Sequence, residues 1–310
     1  MRVRSDHYSS FIIETHSDER HLGLSVGPRC RKDPAMTWCN KIRQFFSLDG
    51  SVSGNLSGHG DEVRTVKRMV RMLHTSDVHI GHIRGSAGDH AEVCQCPVYG
   101  IADAATQHDV DVLMVAGDLF DHARLPDSAV RSTLEILTAP GIPVVVIPGN
   151  HDVHDDKSLW QRCRRDVQET GIQLLEDLEG SSLVMESSQM TIWGRAMNDH
   201  EPGYRPLLNA PPRPSTKWYV VAAHGHLNLS SEDAHRSSPI TYEEISSTNA
   251  DYVALGHWHV PTDASHGTVT AWYPGAPMGS PGNGTAALIT FSEEVQVEHV
   301  PIAGPANGCA

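Results

Sequence analysis

Five short clusters rich in histidine and aspartate punctuate the chain: Asp77-Val78-His79, Gly117-Asp118, Gly149-Asn150-His151-Asp152, His224-Gly225-His226 and Gly256-His257-Trp258-His259. Each follows an apolar run. A single Asp-x-His or Gly-Asp is commonplace in an exposed turn, whereas five such clusters at successive strand ends form a pattern. Imidazole and carboxylate donors suit divalent first-row metals such as Mn, Fe or Zn. The 310 residues include 20 histidines and carry a formal net charge of -14, a combination that points to metal chemistry more than to binding of a polyanion.

The elements that must position these clusters are legible from Val70 onward. A mostly apolar run ends at His74, a helical stretch covers Ala91 to His108, and a buried-strand pattern follows at Val110 to Ala116. A helix is predicted over Pro126 to Thr138 and a third strand over Ile142 to Ile147. Nearly continuous apolar strands alternating with helices indicate a sheet covered on both faces, with binding sites at the carboxyl ends of its strands. The second half is richer in strands: Ser182–Met185, Thr191–Trp193, Trp218–Ala223, Tyr252–Leu255, Val269–Trp272, Ala286–Phe291 and Val295–Val300. Helices are predicted over Ser158–Glu169 and Tyr242–Ser247.

Residues 1–68 differ from the rest. They hold 11 Lys and Arg against 8 Asp and Glu, leaving 13 against 30 in residues 69–310. Without sustained periodicity, and with a Gly/Ser/Asn-rich stretch at Ser47 to Gly60, this segment is expected to be a poorly structured extension. The expected division is therefore an extension over 1–68, a domain over 69–303 and a tail over 304–310. No apolar run approaches the roughly 20 residues needed to span a bilayer, and the start lacks the hydrophobic region of a signal peptide, so a cytoplasmic protein without membrane contact is expected. Six cysteines without CxxC pairs are expected to be reduced thiols.

The clusters, in order, resemble the signature of the calcineurin-like metallophosphoesterases: D-x-H, G-D, G-N-H-D, H and G-H-x-H. The resemblance covers roughly residues 70–300. The runs MLHTSDVHIGH, VAGDLFD, VVVIPGNHD and DYVALGHWH look most like the DNA-repair exonuclease branch, which includes the nuclease subunit of bacterial SbcCD-type complexes. It implies an α/β fold, a four-layer α/β/β/α sandwich of two mixed sheets flanked by helices. It also implies two divalent metal ions, Mn2+ first among them with Fe, Zn or Mg as alternatives. Such a pair, about 3.5 to 4 Å apart, lowers the pKa of a bridging water and clamps the phosphate.

Residue by residue, the resemblance implies that Asp77, His79 and His259 bind one metal, that Asn150, His224 and His257 bind the other, and that Asp118 bridges them. His151 would contact the phosphate and protonate or stabilise the leaving oxygen. Asp152 reads either as an orienting partner for a histidine or as a turn cap. His224 continues the run Val220 to Ala223 and is favoured over His226 as the ligand, leaving His226 on the substrate side. Arg195 pairs either with a phosphate or with a surface acid, and Asn198, His200 and Tyr204 are candidates for the substrate entrance. Trp258 either shields the metals or stacks on a base. Arg162, Arg164 and Arg165 read as a solvated helix face.

Three functions follow in order of support. The first is an exonuclease-like phosphodiesterase acting on DNA or a nucleotide-derived diester. The second is a stand-alone phosphoesterase for a small nucleotide, cyclic diester or phosphomonoester, which suits an acidic body without the basic stripe typical of DNA binding. The third is a silent scaffold, disfavoured because no ligand of the signature is missing. An ATPase partner is not expected, because little sequence follows the last strand pair to supply a capping or partner-binding region.

Overall fold

The computed structural model describes residues 69–82, 93–230, 233, 235–277 and 284–303. The expected extension over 1–68 and the tail over 304–310 lie outside the described residues, as do the first residues of the helix expected from Ala91.

Two six-stranded sheets carry the fold. The first is built from β1 Val70–Thr75, β2 Val112–Ala116, β3 Val144–Ile147, β4 Gln173–Leu174, β13 Thr285–Phe291 and β14 Val295–Pro301, in the order β14-β13-β1-β2-β3-β4. Strands β1 to β4 are parallel, and β13 and β14 extend the sheet antiparallel. The second is built from β5 Ser181–Met185, β6 Met190–Gly194, β7 Trp218–His224, β10 Tyr252–Gly256, β11 Thr262–Asp263 and β12 Thr270–Tyr273, in the order β11-β12-β10-β7-β6-β5. Its central strands β6, β7, β10 and β12 are parallel, and its outer strands β5 and β11 antiparallel. Two-residue strands β8 His226–Leu227 and β9 Pro239–Ile240 form a separate parallel pair.

The alternation of side chains along each strand explains the layers. On β1, Leu73 joins Leu113, Val115, Val144 and Val146 against the helices at Cys96–Gln107 and Asp127–Thr138, through Val98, Ile101, Val130 and Leu134. Its neighbour Met72 faces the other way, with Met114, Val145 and Ile147 packing on Met190, Ile192, Val220, Ala222, Tyr252 and Ala254 of the second sheet. Beyond that sheet, Tyr219, Val221, Val253 and Leu255 are covered by Leu207 and by Ile245 of the helix Tyr242–Ser247. The result is the expected sandwich of two mixed sheets between helical layers.

Departures from the sequence reading have local causes. The helix expected over Ser158–Glu169 breaks at Cys163 into Leu159–Arg162 and Arg164–Thr170. Strands β4, β8, β9 and β11 are two residues long, too short for periodicity to reveal. Cys94 and Cys96 are disulfide-bonded, against the expectation of reduced thiols, while Cys163 is free and buried. The Cys96 amide donates to Cys94 Sγ at 3.4 Å, so these two residues meet at the start of the helix that Pro97 opens. Among the described residues no helix is long and apolar enough to cross a membrane.

Candidate metal centre

The clusters stand at the carboxyl ends of β1, β2, β3, β7 and β10, where parallel strands release their loops on one edge of the sandwich. The first two loops are laced together. Asp77 N–H donates to Gly117 O at 3.1 Å, His79 N–H to Asp118 O at 3.0 Å, and Ile80 N–H to Leu119 O at 3.0 Å. Asp77, His79, Asp118 and His257 all adopt positive φ, 54°, 49°, 53° and 110°. Backbone held there by non-glycine residues is strained and persists where the surroundings fix it. The packing leaves no slack: a Cβ on Gly256 would run into the carbonyl oxygen of Ala116.

Two groups of donors converge. In the first, Asp77 Oδ1 lies 3.9 Å from His79 Nε2 and 3.6 Å from His259 Nε2, and those two nitrogens are 3.3 Å apart. Asp77 Oδ1 is buried without a hydrogen-bond partner, while Oδ2 is held by the Ser76 hydroxyl at 2.5 Å and the His257 amide at 3.0 Å. A buried carboxylate oxygen left bare between two imidazoles is the arrangement a cation would satisfy. In the second group, Asn150 Oδ1 lies 2.9 Å from His224 Nε2 and 3.0 Å from His257 Nδ1. Asp118 stands between the groups, its Oδ2 3.3 Å from His224 Nε2 and 3.8 Å from His79 Nε2. Among the described residues, three sets of donors lie within 4.8 Å of one another: Asp77, His79 and His259; Asp77, Asp118 and His224; and His79, Asp118 and His151. The residues present therefore fit two divalent ions, with Asp118 placed to touch both.

The protonation states agree with that fit. His224 Nδ1 meets the Ala116 carbonyl at 2.9 Å, which leaves Nε2 for the centre. Burial opposes a proton on this ring, but the Asp118 carboxylate and its hydrogen bond prevail and push the pKa up to about 9. Burial alone would raise the Asp118 carboxyl, yet the charge of His224 holds it well below the usual range. His257 is lowered to about 3 by burial and by His224, and burial also lowers His79.

His151 lies on the open side, with its side chain 44% exposed. Its amide donates to Asp118 Oδ1 at 2.8 Å, and its Nδ1 meets the Asp121 carbonyl at 3.0 Å. Asp152 does not orient a histidine. Its Oδ1 accepts the Gly149 amide at 2.7 Å and its Oδ2 accepts the Phe120 amide at 3.1 Å, so it pins the loop after β3 to the loop after β2, closer to the turn-cap reading. Burial and the charge of Asp118 raise its carboxyl to about 7.

Between His224 and His226 the geometry is plain: only His224 reaches Asn150 and Asp118. His226 accepts the Trp258 indole N–H at 3.3 Å, and its Nε2 lies 4.0 Å from Asp233. Trp258 stacks on Tyr273 at 5.1 Å between centroids, which fits shielding. Arg195 is turned away from phosphate binding, donating to the carbonyls of Leu178 and Arg205 and lying over the Tyr204 ring. His200 is 5.5 Å from the His257 ring and bonds Ser238 Oγ at 3.1 Å; Asn198 is exposed and Tyr204 buried. Arg162, Arg164 and Arg165 pair with Asp127, Glu176 and Glu169.

The sequence reading missed Asp121, the last residue of VAGDLFD. Its Oδ1 lies 3.3 Å from His79 Nδ1, 3.4 Å from His151 Nδ1 and 3.6 Å from His82 Nδ1. Its spacing of three from Asp118 was a usable signal only once the loop was known to run back along Ile80, with which Phe120 forms a parallel bridge. Asp121 lines a cavity of about 180 Å³ with Asp77, Val78, His79, His82, His151, His259 and Ala276.

Residues 70–261 match the model of the calcineurin-like phosphoesterase family. The chain is 28% identical over 227 residues to the DNA double-strand break repair protein Mre11 of Methanopyrus kandleri, covering 67% of this chain and 49% of the relative. It is 30% identical over 197 residues to the metallophosphoesterase YhaO of Bacillus subtilis, covering 56% and 42%. Over 86 residues it is 37% identical to a subunit of the nuclease SbcCD of Escherichia coli K12, covering 27% and 21%. The chain thus spans half or less of the length of these relatives. In fold it is similar to TT1561 of Thermus thermophilus, with a TM-score of 0.53 at 10% identity, over 76% of this chain and 100% of that one.

Proposed function

We propose, from the premise that this chain belongs to the calcineurin-like phosphoesterase family, that it is a dinuclear-metal-dependent phosphoesterase that hydrolyses phosphodiester bonds in the manner of an exonuclease. The observation that carries this reading is the position of Asp118 between the His79 and His224 nitrogens, at 3.8 and 3.3 Å. Asp77, His79 and His259 would hold one ion, Asn150, His224 and His257 the other, and Asp118 both. When bound, two such ions supply a water acidic enough to attack at neutral pH and charge to neutralise the phosphoryl oxygens.

The chain's own residues do the rest. Asp77 and Asp118 are the only two carboxylates among the seven donors, so the occupied centre keeps a net positive charge that attracts an anionic ester. His151 donates through Nδ1 to the Asp121 carbonyl, so Nε2 would give a proton to the departing oxygen from the imidazolium form and return to the neutral ring. Asp121 Oδ1 stands 3.3 Å from His79 Nδ1, the nitrogen that does not face the centre, without hydrogen-bonding it, close enough for its charge to favour a basic, well-placed metal ligand. Asp152 keeps the Gly149 and Phe120 loops in register.

DNA or a nucleotide-derived diester is the favoured substrate class, by analogy with the relatives named for DNA break repair and for the SbcCD nuclease. A small nucleotide, cyclic diester or phosphomonoester is the second reading, favoured by the 13 basic against 30 acidic residues in 69–310. Mn2+ is the proposed metal. The test is metal analysis followed by assays with Mn2+ on bis-p-nitrophenyl phosphate, p-nitrophenyl phosphate and single- and double-stranded DNA. Hydrolysis of the diester and of DNA supports the first reading, and hydrolysis of small esters alone supports the second. No turnover of any of them by protein carrying two ions defeats both.

A further inference from the structure

His82 lines the same cavity as His79, Asp121, His151 and His259, yet it belongs to neither group of donors at the centre. Its placement is built into the turn. The chain reverses at Gly81, whose φ of +100° is open to glycine and at which a Cβ would run into the Leu125 side chain. The His82 amide then donates to the His79 carbonyl at 3.0 Å, and Asp121 N–H donates to Ile80 O at 3.0 Å. This returns the His82 imidazole over the cavity, its Nδ1 3.6 Å from Asp121 Oδ1, the same oxygen that lies 3.4 Å from His151 Nδ1. One carboxylate oxygen is therefore flanked by two imidazoles on the open side. The His82 side chain is 59% exposed, so burial in the core does not account for it.

We infer that His82 is a substrate-contacting residue, its imidazole taking an oxygen of the substrate's phosphate group at the His79 side of the cavity. The inference rests on the proposed phosphoesterase reading and narrows it. The remaining lining is either apolar, Val78 and Ala276, or carboxylate, Asp77 and Asp121, and none of these side chains offers a hydrogen to an anion. His79 and His259 face Asp77 through Nε2, and His151 serves the leaving oxygen. His82 is the imidazole left to hold a phosphoryl oxygen. A cavity of about 180 Å³ is many times the space a single water needs. That admits the phosphate group and the first atoms of its ester arms, and the arms then leave across a rim that includes His82.

The test compares wild type, His82→Ala and His82→Gln, each loaded with Mn2+ and checked for equal metal content. Calorimetry with inorganic phosphate should show affinity about tenfold weaker in the alanine variant, with most of it restored by glutamine, which keeps a donor. With bis-p-nitrophenyl phosphate, the alanine variant should raise KM by a similar factor while kcat stays within about threefold. Phosphate affinity equal in wild type and His82→Ala overturns the inference, as does loss of a bound metal in His82→Ala, which would make His82 part of the metal site. If the wild type hydrolyses no ester, the proposed function fails, while the phosphate comparison still reads His82 on its own.

Discussion

His224 Nε2 lies 3.3 Å from Asp118 Oδ2, and both side chains are almost wholly buried. A buried ion pair of this kind makes the metal-free protein sensitive to alkaline pH. The folded-state pKa of His224, about 9, is raised above its ordinary value of 6.5. The stabilisation is therefore complete below pH 6.5 and is lost as pH rises through 9. The shift corresponds to a contribution on the order of 3 kcal/mol. Thermal unfolding of chelator-treated protein should show a falling midpoint between pH 6.5 and 9, and Asp118→Asn should flatten that slope. Equal slopes in the two proteins would show that this pair does not control it. Metal affinity should move the other way, rising over the same interval as the competing proton leaves His224.

Asp152 carries no proposed chemistry, and its replacement should still be costly. Its two oxygens satisfy the Gly149 and Phe120 amides inside the protein. Asp152→Ala leaves both amides unpaired and should destabilise the fold by about 3 kcal/mol, with Asp152→Asn, which keeps one acceptor, costing roughly half of that. Denaturant unfolding of the metal-free proteins measures this directly. A stable alanine variant that is merely slow in turnover would instead return Asp152 to the alternative reading, an orienting partner for a histidine.

The sequence disclosed the strands that bear the clusters because β2, β3, β7 and β10 are buried on both faces and read as unbroken apolar runs. It disclosed the five clusters because each stands at or just past the end of a strand, and the resemblance to a known signature supplied the individual ligands. Other features depend on contacts between distant segments. Asp121 and His82 meet only because the loops after β1 and β2 are bonded backbone to backbone, a pairing that leaves no trace in composition. Asp152 and Arg195 have the right residue types for chemistry, but their hydrogen-bonding capacity is taken by backbone groups that only the fold brings near. His74 shows the same limit in the core: it bonds the Tyr252 hydroxyl at 2.8 Å between the sheets, and burial lowers its pKa to about 3.

His151 and Asp121 should separate chemistry from metal retention. His151 Nδ1 meets the Asp121 carbonyl at 3.0 Å and its carboxylate at 3.4 Å, and His79 Nδ1 meets the same carboxylate at 3.3 Å. His151→Ala removes the proposed proton donor and none of the seven donors of the centre, so both ions should remain bound while kcat falls by about 10² to 10⁴. Asp121→Asn keeps the backbone carbonyl under His151 and removes the carboxylate behind His79. It should weaken the ion held by Asp77, His79 and His259 by about 10- to 100-fold, leaving the ion at Asn150, His224 and His257 in place. Metal titration followed by turnover at saturating metal distinguishes the two effects, because the Asp121→Asn deficit should shrink as metal is added and the His151→Ala deficit should not. A His151→Ala protein with unchanged kcat would remove that side chain from the chemistry, and an Asp121→Asn protein with wild-type affinity at both sites would confine Asp121 to holding its loop.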